Sequence, residues 1–137
     1  MRQKRLRGTA VELLCAVAIF LSLWPGRAAI VMEAQNGTVL LSHDAETERP
    51  MASTTKIMTA LLALENGRQD ELVTASERAF GVPGTSIYLS AGETLTLHDM
   101  LYGLMLASGN DAAVAIAEHI GGTVEEFCAR MTARARE

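Results

Sequence analysis

Apolar and polar positions divide the chain into a leader, a β-hairpin and a mainly helical body. Two β-rich runs, at residues 29–34 and 38–42, flank Gln35-Asn36-Gly37, and Asn-Gly between such runs is a strong hairpin signal. From Ser53 to Asn66 apolar residues surround most of the helical circumference, which predicts a helix that is buried in a core and ends at Gly67. These patterns predict a mixed α/β protein.

The segment after this helix has short strands and then a helix start. Residues 68–95 contain turns at Gly81, Pro83-Gly84 and Ala91-Gly92, and the segments beside these turns are predicted to form short strands at residues 71–74 and 85–89. The capping box Thr96-Leu-His-Asp99 predicts a helix that runs to about Ala107.

The end of the chain is helical. Ser108-Gly109-Asn110 breaks the pattern, and a second apolar helix is predicted over residues 111–120. A further capping box, Thr123-Val-Glu-Glu126, starts a last helix that reaches Glu137 with no Gly, Pro or cap. Because domains rarely stop within a helix, we expect a truncated chain.

The leader has the order of a secretory signal. Basic residues between Arg2 and Arg7 precede an apolar run from Leu13 to Trp24, and Pro25-Gly-Arg-Ala-Ala29 follows. The apolar run is shorter than the roughly 20 residues that a membrane-spanning helix needs. We therefore predict a signal peptide at residues 1–29, a body at residues 30–137 and export, with an uncleaved anchor as the alternative.

Charge and cysteine content exclude several kinds of function. Residues 30–137 carry seven basic and fifteen acidic side chains, so nucleic acid is not the expected partner. Two cysteines, Cys15 and Cys128, exclude a disulfide framework and a cysteine-based zinc cluster. Three isolated histidines do not predict a metal site, and we expect no metal or cofactor.

Lys56 is the one lysine of the body, and the other six basic residues there are arginines, which stay protonated. Burial in an apolar helix favours a neutral amine, which can act as a base. Ser53 lies three residues earlier on the same helix face, so we expect the amine to approach its hydroxyl and the free Ser53 N–H to face an oxyanion. An N-cap serine beside a lysine that extends to solvent fits the spacing equally well.

Ser108-Gly109-Asn110 is the second candidate, a small polar tripeptide between two apolar helices. An ordinary helix–helix turn explains these residue types. In the functional interpretation, Ser108 relays a proton between Lys56 and the leaving group, and Asn110 holds the substrate amide. The tripeptide alone does not decide between the two.

Two segments taken together resemble the first two active-site motifs of the penicillin-binding D-alanyl-D-alanine carboxypeptidases. They are Pro50-Met-Ala-Ser53-Thr-Thr-Lys56-Ile-Met-Thr-Ala60 and Leu104-Met-Leu-Ala-Ser108-Gly-Asn110-Asp-Ala-Ala113. The first is the S-x-x-K motif shared with serine β-lactamases, and the second corresponds to their S-D-N element. The resemblance begins near Ala29 and implies a β-lactamase/transpeptidase-like fold, present here as its N-terminal half. In that fold an antiparallel sheet packs on a helical region.

The resemblance implies an exported serine enzyme that removes the terminal D-Ala from peptidoglycan stem pentapeptides through an acyl-serine intermediate. Ser53 resembles the nucleophile, Lys56 its proton acceptor, Ser108 the proton-relaying partner and Asn110 a substrate-positioning residue. The expected partners are a peptide that ends in D-Ala-D-Ala and β-lactam antibiotics, which acylate the same serine. Membrane contact is expected only through the leader or through a C-terminal anchor outside this sequence.

The sequence departs from the family pattern in one respect, because it contains no Lys-Thr-Gly. In the family this third motif supplies a lysine that grips the substrate carboxylate and a strand that frames the second oxyanion donor. Loss of one oxyanion donor costs roughly 10²–10³ in rate. We therefore expect this chain to be essentially inactive alone and its full-length parent to be active.

Three other functions remain open at this point. A β-lactamase needs a deacylating carboxylate, which this sequence does not identify, and a penicillin-recognising sensor is acylated without turnover. A Ser-His-Asp hydrolase has candidates in His43, His98 and His119, but no serine lies in a G-x-S-x-G turn.

Overall fold

The computed structural model describes residues 27–137. Residues 1–26 of the predicted signal peptide therefore lie outside the described residues. The chain divides after Pro50 into two compact units, which we describe separately. Among the described residues, no helix is both long enough and apolar enough to cross a membrane. The division into a signal peptide and a catalytic portion stays a prediction.

The first unit contains the predicted hairpin, which is confirmed. Strand β1 (Ala29–Met32) pairs antiparallel with β2 (Val39–His43), with a bulge near the end of β1. The connection is closed by a hydrogen bond from Glu33 N to Thr38 O at 2.8 Å, and Gly37 adopts φ +74° within it. A positive φ favours glycine, which accounts for the Asn-Gly signal.

The second unit contains a 3₁₀ turn, four helices and a pair of strands. In chain order these are the 3₁₀ turn (Ala52–Thr54), α1 (Thr55–Asn66), β3 (Leu72–Thr74), β4 (Thr94–Thr96), α2 (Leu97–Leu106), α3 (Asn110–Gly121) and α4 (Val124–Ala135).

Both capping boxes start helices where the sequence predicts them. Thr96 Oγ1 accepts a hydrogen bond from Asp99 N at 3.1 Å before α2, and Thr123 Oγ1 accepts one from Glu126 N at 3.1 Å before α4. Each bond satisfies an amide that lacks a partner within the helix. Gly122, with φ +85°, ends α3.

The predicted strands are partly correct. The first is confirmed as β3, whose antiparallel partner is β4, a strand that the sequence pattern did not predict. The prediction of a strand at residues 85–89 is wrong. Backbone amides there donate to the buried carboxylate of Asp111 and not to another strand, and Tyr88 has φ +63°, which interrupts an extended conformation.

The core of the second unit lies among α1, α2, α3 and β3. Its large, fully buried side chains include Val73, Leu97, Met100, Leu104 and Ile116. A smaller apolar cluster, centred on Phe127, fixes α4 against α1 and α3. This packing fixes the amino-terminal end of α1 beside the α2–α3 break.

Helix α1 is buried along one face only, so the prediction that it is buried all round is wrong for the described residues. Lys56, Thr59 and Ala63 face inward, whereas Ile57 is 61% exposed and Leu64 is 52% exposed. The helix ends at Gly67, where a Cβ would come within 2.6 Å of the Leu97 side chain. Close packing against Leu97 therefore favours glycine at this position, where φ is −117°.

Candidate active site

Ser53 lies in the 3₁₀ turn directly before α1, and its side chain is exposed. Its hydroxyl caps neither the turn nor the helix, whose N-cap positions are Met51 and Thr54. The residue before it, Ala52, has φ +49°. This left-handed conformation costs a non-glycine residue roughly 1–2 kcal/mol. The chain thus presents an exposed hydroxyl beside a strained residue, a combination found at functional sites.

Lys56 occupies the first turn of α1 with its side chain buried. Its Nζ donates to Ser108 O at 2.7 Å, to Ser108 Oγ at 3.0 Å and to Asn110 Oδ1 at 2.6 Å. These acceptors match the three N–H groups of an ammonium, and a neutral amine can keep two of these hydrogen bonds and accept one from Ser108 Oγ in place of the third. The lysine does not extend to solvent, and it joins two motifs that are more than 50 residues apart in the chain.

Ser108 forms the break between α2 and α3, and its φ of +57° turns the chain sharply. Its hydroxyl accepts the hydrogen bond from Lys56 and donates to Ser53 Oγ at 2.9 Å. Ser108 Oγ therefore lies between the buried amine and the exposed hydroxyl.

This arrangement differs from the direct contact expected between Lys56 and Ser53. Within residues 27–137 no hydrogen bond joins the two side chains, because all those from Nζ go to the 108–110 tripeptide. Ser108 supplies the connection instead. Since a hydroxyl both donates and accepts, the series Ser53–Ser108–Lys56 can carry a proton in either direction.

Asn110, the first residue of α3, has both ends of its side-chain amide bonded. Oδ1 accepts from Lys56, while Nδ2 donates to Pro83 O at 2.7 Å. Gly84 lies against this amide with φ +98°, and a Cβ on Gly84 would come within 2.7 Å of Nδ2. The structure thus brings together all four residues predicted for the site, with Asn110 held from two sides.

Asp111 is a buried polar residue that the sequence pattern did not single out. Its carboxylate accepts from Ser86 Oγ at 2.6 Å and from the amides of Ile87, Leu89 and Ala112 at 2.9–3.2 Å. Burial raises the pKa of Asp111, but these hydrogen bonds outweigh it and hold the pKa below its ordinary value. One signal was available, because Asp111 and Ala115 are four residues apart on a face that is otherwise apolar.

An open cavity of about 320 Å³ adjoins the hydroxyl. Its lining residues are Ala52, Ser53, Thr55, Lys56 and Asn110. This volume lies at the lower end of the range for small-ligand sites, roughly 300–1,000 Å³. The exposed Ser53 hydroxyl therefore faces a space that can admit a small acyl group.

Two histidines of this unit, His98 and His119, lie close to carboxylates. His98 Nδ1 is 3.4 Å from Asp99 Oδ1, and His119 Nε2 is 3.2 Å from Glu71 Oε2. Neither is hydrogen-bonded to Ser53 within the described part of the chain, so the geometry gives no support to a Ser-His-Asp hydrolase that uses His98 or His119. Residues 27–137 also contain no group of three His, Cys, Asp or Glu side chains placed to hold a metal ion.

Comparison with known families agrees with this geometry. Residues 24–137 match the family model described as D-alanyl-D-alanine carboxypeptidase. The chain belongs to the D-alanyl-D-alanine carboxypeptidase family. Over 116 residues it is 41% identical to D-alanyl-D-alanine carboxypeptidase DacF of Bacillus subtilis, a match that covers 81% of this chain and 30% of DacF. The family that the two motifs indicated is therefore confirmed.

Solved structures of this family share the fold. A D-alanyl-D-alanine carboxypeptidase from Mycobacterium tuberculosis H37Rv, 33% identical, superposes with a TM-score of 0.76 over 82% of this chain and 42% of that chain. Penicillin binding protein 5 from Haemophilus influenzae, 30% identical, gives 0.74 over 80% and 34%. The predicted mixed α/β fold is confirmed. The chain spans 30% of the length of DacF and 38% of that of a Mycobacterium tuberculosis relative, DacB2.

Proposed function

We propose that this chain provides the nucleophile and its base for a serine-type D-Ala-D-Ala carboxypeptidase that acts on peptidoglycan stem peptides. The observation that carries the proposal is the hydrogen-bonded series Ser53–Ser108–Lys56, which is exposed at the hydroxyl and buried at the amine. A serine hydroxyl attacks a carbonyl carbon efficiently only when a base removes its proton.

In the proposed reaction, Ser53 Oγ attacks the carbonyl carbon between the two D-Ala residues as its proton passes to Ser108 Oγ. The Ser108 proton passes at the same time to a neutral Lys56 Nζ. The carbon–nitrogen bond to the terminal D-Ala then breaks, the leaving amine takes a proton back through Ser108, and an acyl ester remains on Ser53. Water attacks this ester by the same proton path and releases the shortened peptide.

The remaining roles follow from the contacts of the cavity. The Ser53 N–H has no hydrogen-bond partner within residues 27–137, and we assign it to the developing oxyanion. Asn110 borders the cavity and is assigned to substrate positioning. The sequence contains no Lys-Thr-Gly, so we propose that residues outside it grip the substrate carboxylate and that the 137-residue chain alone has no measurable turnover.

The test of this function uses the full-length gene product, a fluorescent penicillin and a D-Ala-D-Ala peptide. We expect covalent labelling and release of D-Ala, both abolished in S53A. S108A should slow labelling about 10²-fold because the proton path is interrupted, whereas S90A should leave the rate unchanged. Labelling without D-Ala release would indicate a sensor, and rapid penicillin hydrolysis would indicate a β-lactamase. Wild-type rates in S108A would contradict the proposed relay.

We also propose that residues 1–29 export the protein to the outer face of the cytoplasmic membrane, the periplasm or the cell wall. The basic residues followed by an apolar run support this proposal, as does a substrate that lies outside the cytoplasm. A fusion of residues 1–29 to alkaline phosphatase, which is active only after export, should be active. The control is an alkaline phosphatase fusion that lacks the leader and begins at residue 30, and it should be inactive. An inactive fusion with the leader would contradict export.

A further inference from the structure

Residues 83–89, which we call the clamp segment, lie against the amino-terminal end of α3 without forming a strand. The segment is attached to α3 through the carboxylate of Asp111, which is 1% exposed. Ser86 Oγ donates to Asp111 at 2.6 Å, Ile87 N at 3.1 Å and Leu89 N at 3.0 Å. One buried carboxylate therefore collects three donors from a segment that has no strand partner.

The same segment contacts the neighbouring residue, Asn110. Asn110 N donates to Thr85 O at 2.7 Å, and its Nδ2 donates to Pro83 O at 2.7 Å. With Nδ2 directed at Pro83, the Oδ1 atom is the one that accepts the 2.6 Å hydrogen bond from Lys56. The position of the clamp segment thus determines which end of the Asn110 amide faces the lysine.

Packing leaves the clamp segment little room to shift. Ile87 covers both Gly103 and Gly109, where a Cβ would come within 2.6 Å and 3.2 Å of its side chain. Gly109 is also the residue between Ser108 and Asn110, so the contact reaches the backbone of the site. Loss of the hydrogen bonds to Asp111 is therefore expected to change the position of Asn110.

We propose that Asp111 is a positioning residue for acyl transfer, which holds the clamp segment so that the Pro83 and Thr85 carbonyls orient Asn110 and, through it, Lys56. The inference rests on the proposed function. Asp111 acts through its neighbours, because its side chain is buried and bonded to the segment and to its own helix. A carboxylate is required because every partner is a donor, and an amide at this position would direct an N–H₂ group at some of them.

The experiment compares acylation rates of Asp111→Asn and Glu118→Gln in the full-length gene product with a fluorescent penicillin. Glu118 is the matched control, since it lies on the same helix and accepts a serine hydroxyl, Ser76 Oγ, at 2.6 Å. We expect D111N to slow acylation roughly 10- to 100-fold and E118Q to leave it unchanged. S86A, which removes one donor, should give a smaller reduction in the same direction and remains informative if D111N does not fold.

A double-mutant cycle with Asn110→Ala separates positioning from general loss of structure. Because Asp111 acts through Asn110, D111N should have little further effect on acylation in the N110A background. Rates are followed long enough to measure the slowest variant, at a temperature where each is folded. Wild-type acylation in both D111N and S86A, or an equal D111N effect with and without Asn110, would overturn the proposal. An unlabelled wild-type protein would instead overturn the proposed function on which it rests.

Discussion

The two ends of α3 carry the same kind of interaction in different surroundings. Asp111 near the amino end and Glu118 near the carboxyl end each accept a serine hydroxyl at 2.6 Å, from Ser86 and Ser76. Asp111 is buried and also binds backbone amides, whereas Glu118 is only half-buried. Burial and the number of donors, and not the presence of a serine and a carboxylate alone, decide which of these contacts can support a site.

Side-chain contacts near the carboxyl end are open to solvent. His119 lies 3.2 Å from Glu71, and Arg78 binds Glu125 at 2.8 Å. Water screens contacts of this kind, so each contributes little to stability. Substitutions near the amino end of α3 should therefore lower the stability of the protein strongly, and substitutions near its carboxyl end should lower it weakly.

The largest effect is expected at the buried amine. Lys56→Arg should lower the acylation rate roughly 10³-fold, because a guanidinium keeps its protons and cannot act as a base. Time courses with a fluorescent penicillin measure the rate in the full-length gene product, and Arg134→Lys at the surface is the control. An unchanged rate in K56R would contradict the role of Lys56.

The next effect concerns stability at the amino end. Asp111→Asn should lower the free energy of unfolding by about 3 kcal/mol, since a buried carboxylate with several donors is lost. Glu118→Gln should cost less than about 1 kcal/mol. Urea unfolding of both variants measures the difference. Equal losses of unfolding free energy would contradict the proposed difference between the two ends of α3.

The pH dependence of this difference has a definite sign. The pKa of Asp111 in the folded protein lies below its ordinary value of 3.8, so its contribution is complete above that pH and is lost as the pH falls through the folded pKa. The stability gap between wild type and D111N should therefore narrow as the pH falls below about 3.8. A gap that stays constant down to the acid limit of folding would contradict the assignment.

The smallest effect is expected at the exposed pair of the carboxyl end. The hydrogen bond from His119 lowers the pKa of Glu71, with desolvation opposing it. Glu71→Gln should therefore destabilise the protein far less than D111N. The loss should be present above the ordinary Glu71 pKa of 4.5 and disappear below it. Thermal unfolding at several pH values tests this, and a loss as large as that of D111N would contradict it.

Local signals predicted the helix starts and the hairpin because the causes are local. Thr96 and Thr123 bind amides three residues away, and Gly37 takes the positive φ that its turn needs. The family motifs likewise predicted that Ser53 and Lys56 belong to one site. These features depend only on neighbouring residues or on a pattern already known.

Other features depend on contacts that no local pattern contains. Residues 85–89 lie between Gly-containing turns and were predicted as a strand, but their partner is a carboxylate more than 20 residues away. The direct Lys56–Ser53 contact was expected from helical spacing. The amine instead donates its hydrogen bonds to acceptors in residues 108–110. In both cases tertiary hydrogen bonds override what the spacing alone indicates.

The most direct test of the account is the site of a penicillin adduct on the full-length gene product, identified by mass spectrometry after cleavage at glutamate. The peptide of residues 49–65 contains Ser53 as its only serine. We predict one penicilloyl adduct, on Ser53, which is absent from S53A and forms far more slowly in S108A. No adduct, or an adduct on a different residue, would contradict the claim that the Ser53–Ser108–Lys56 series activates a nucleophile.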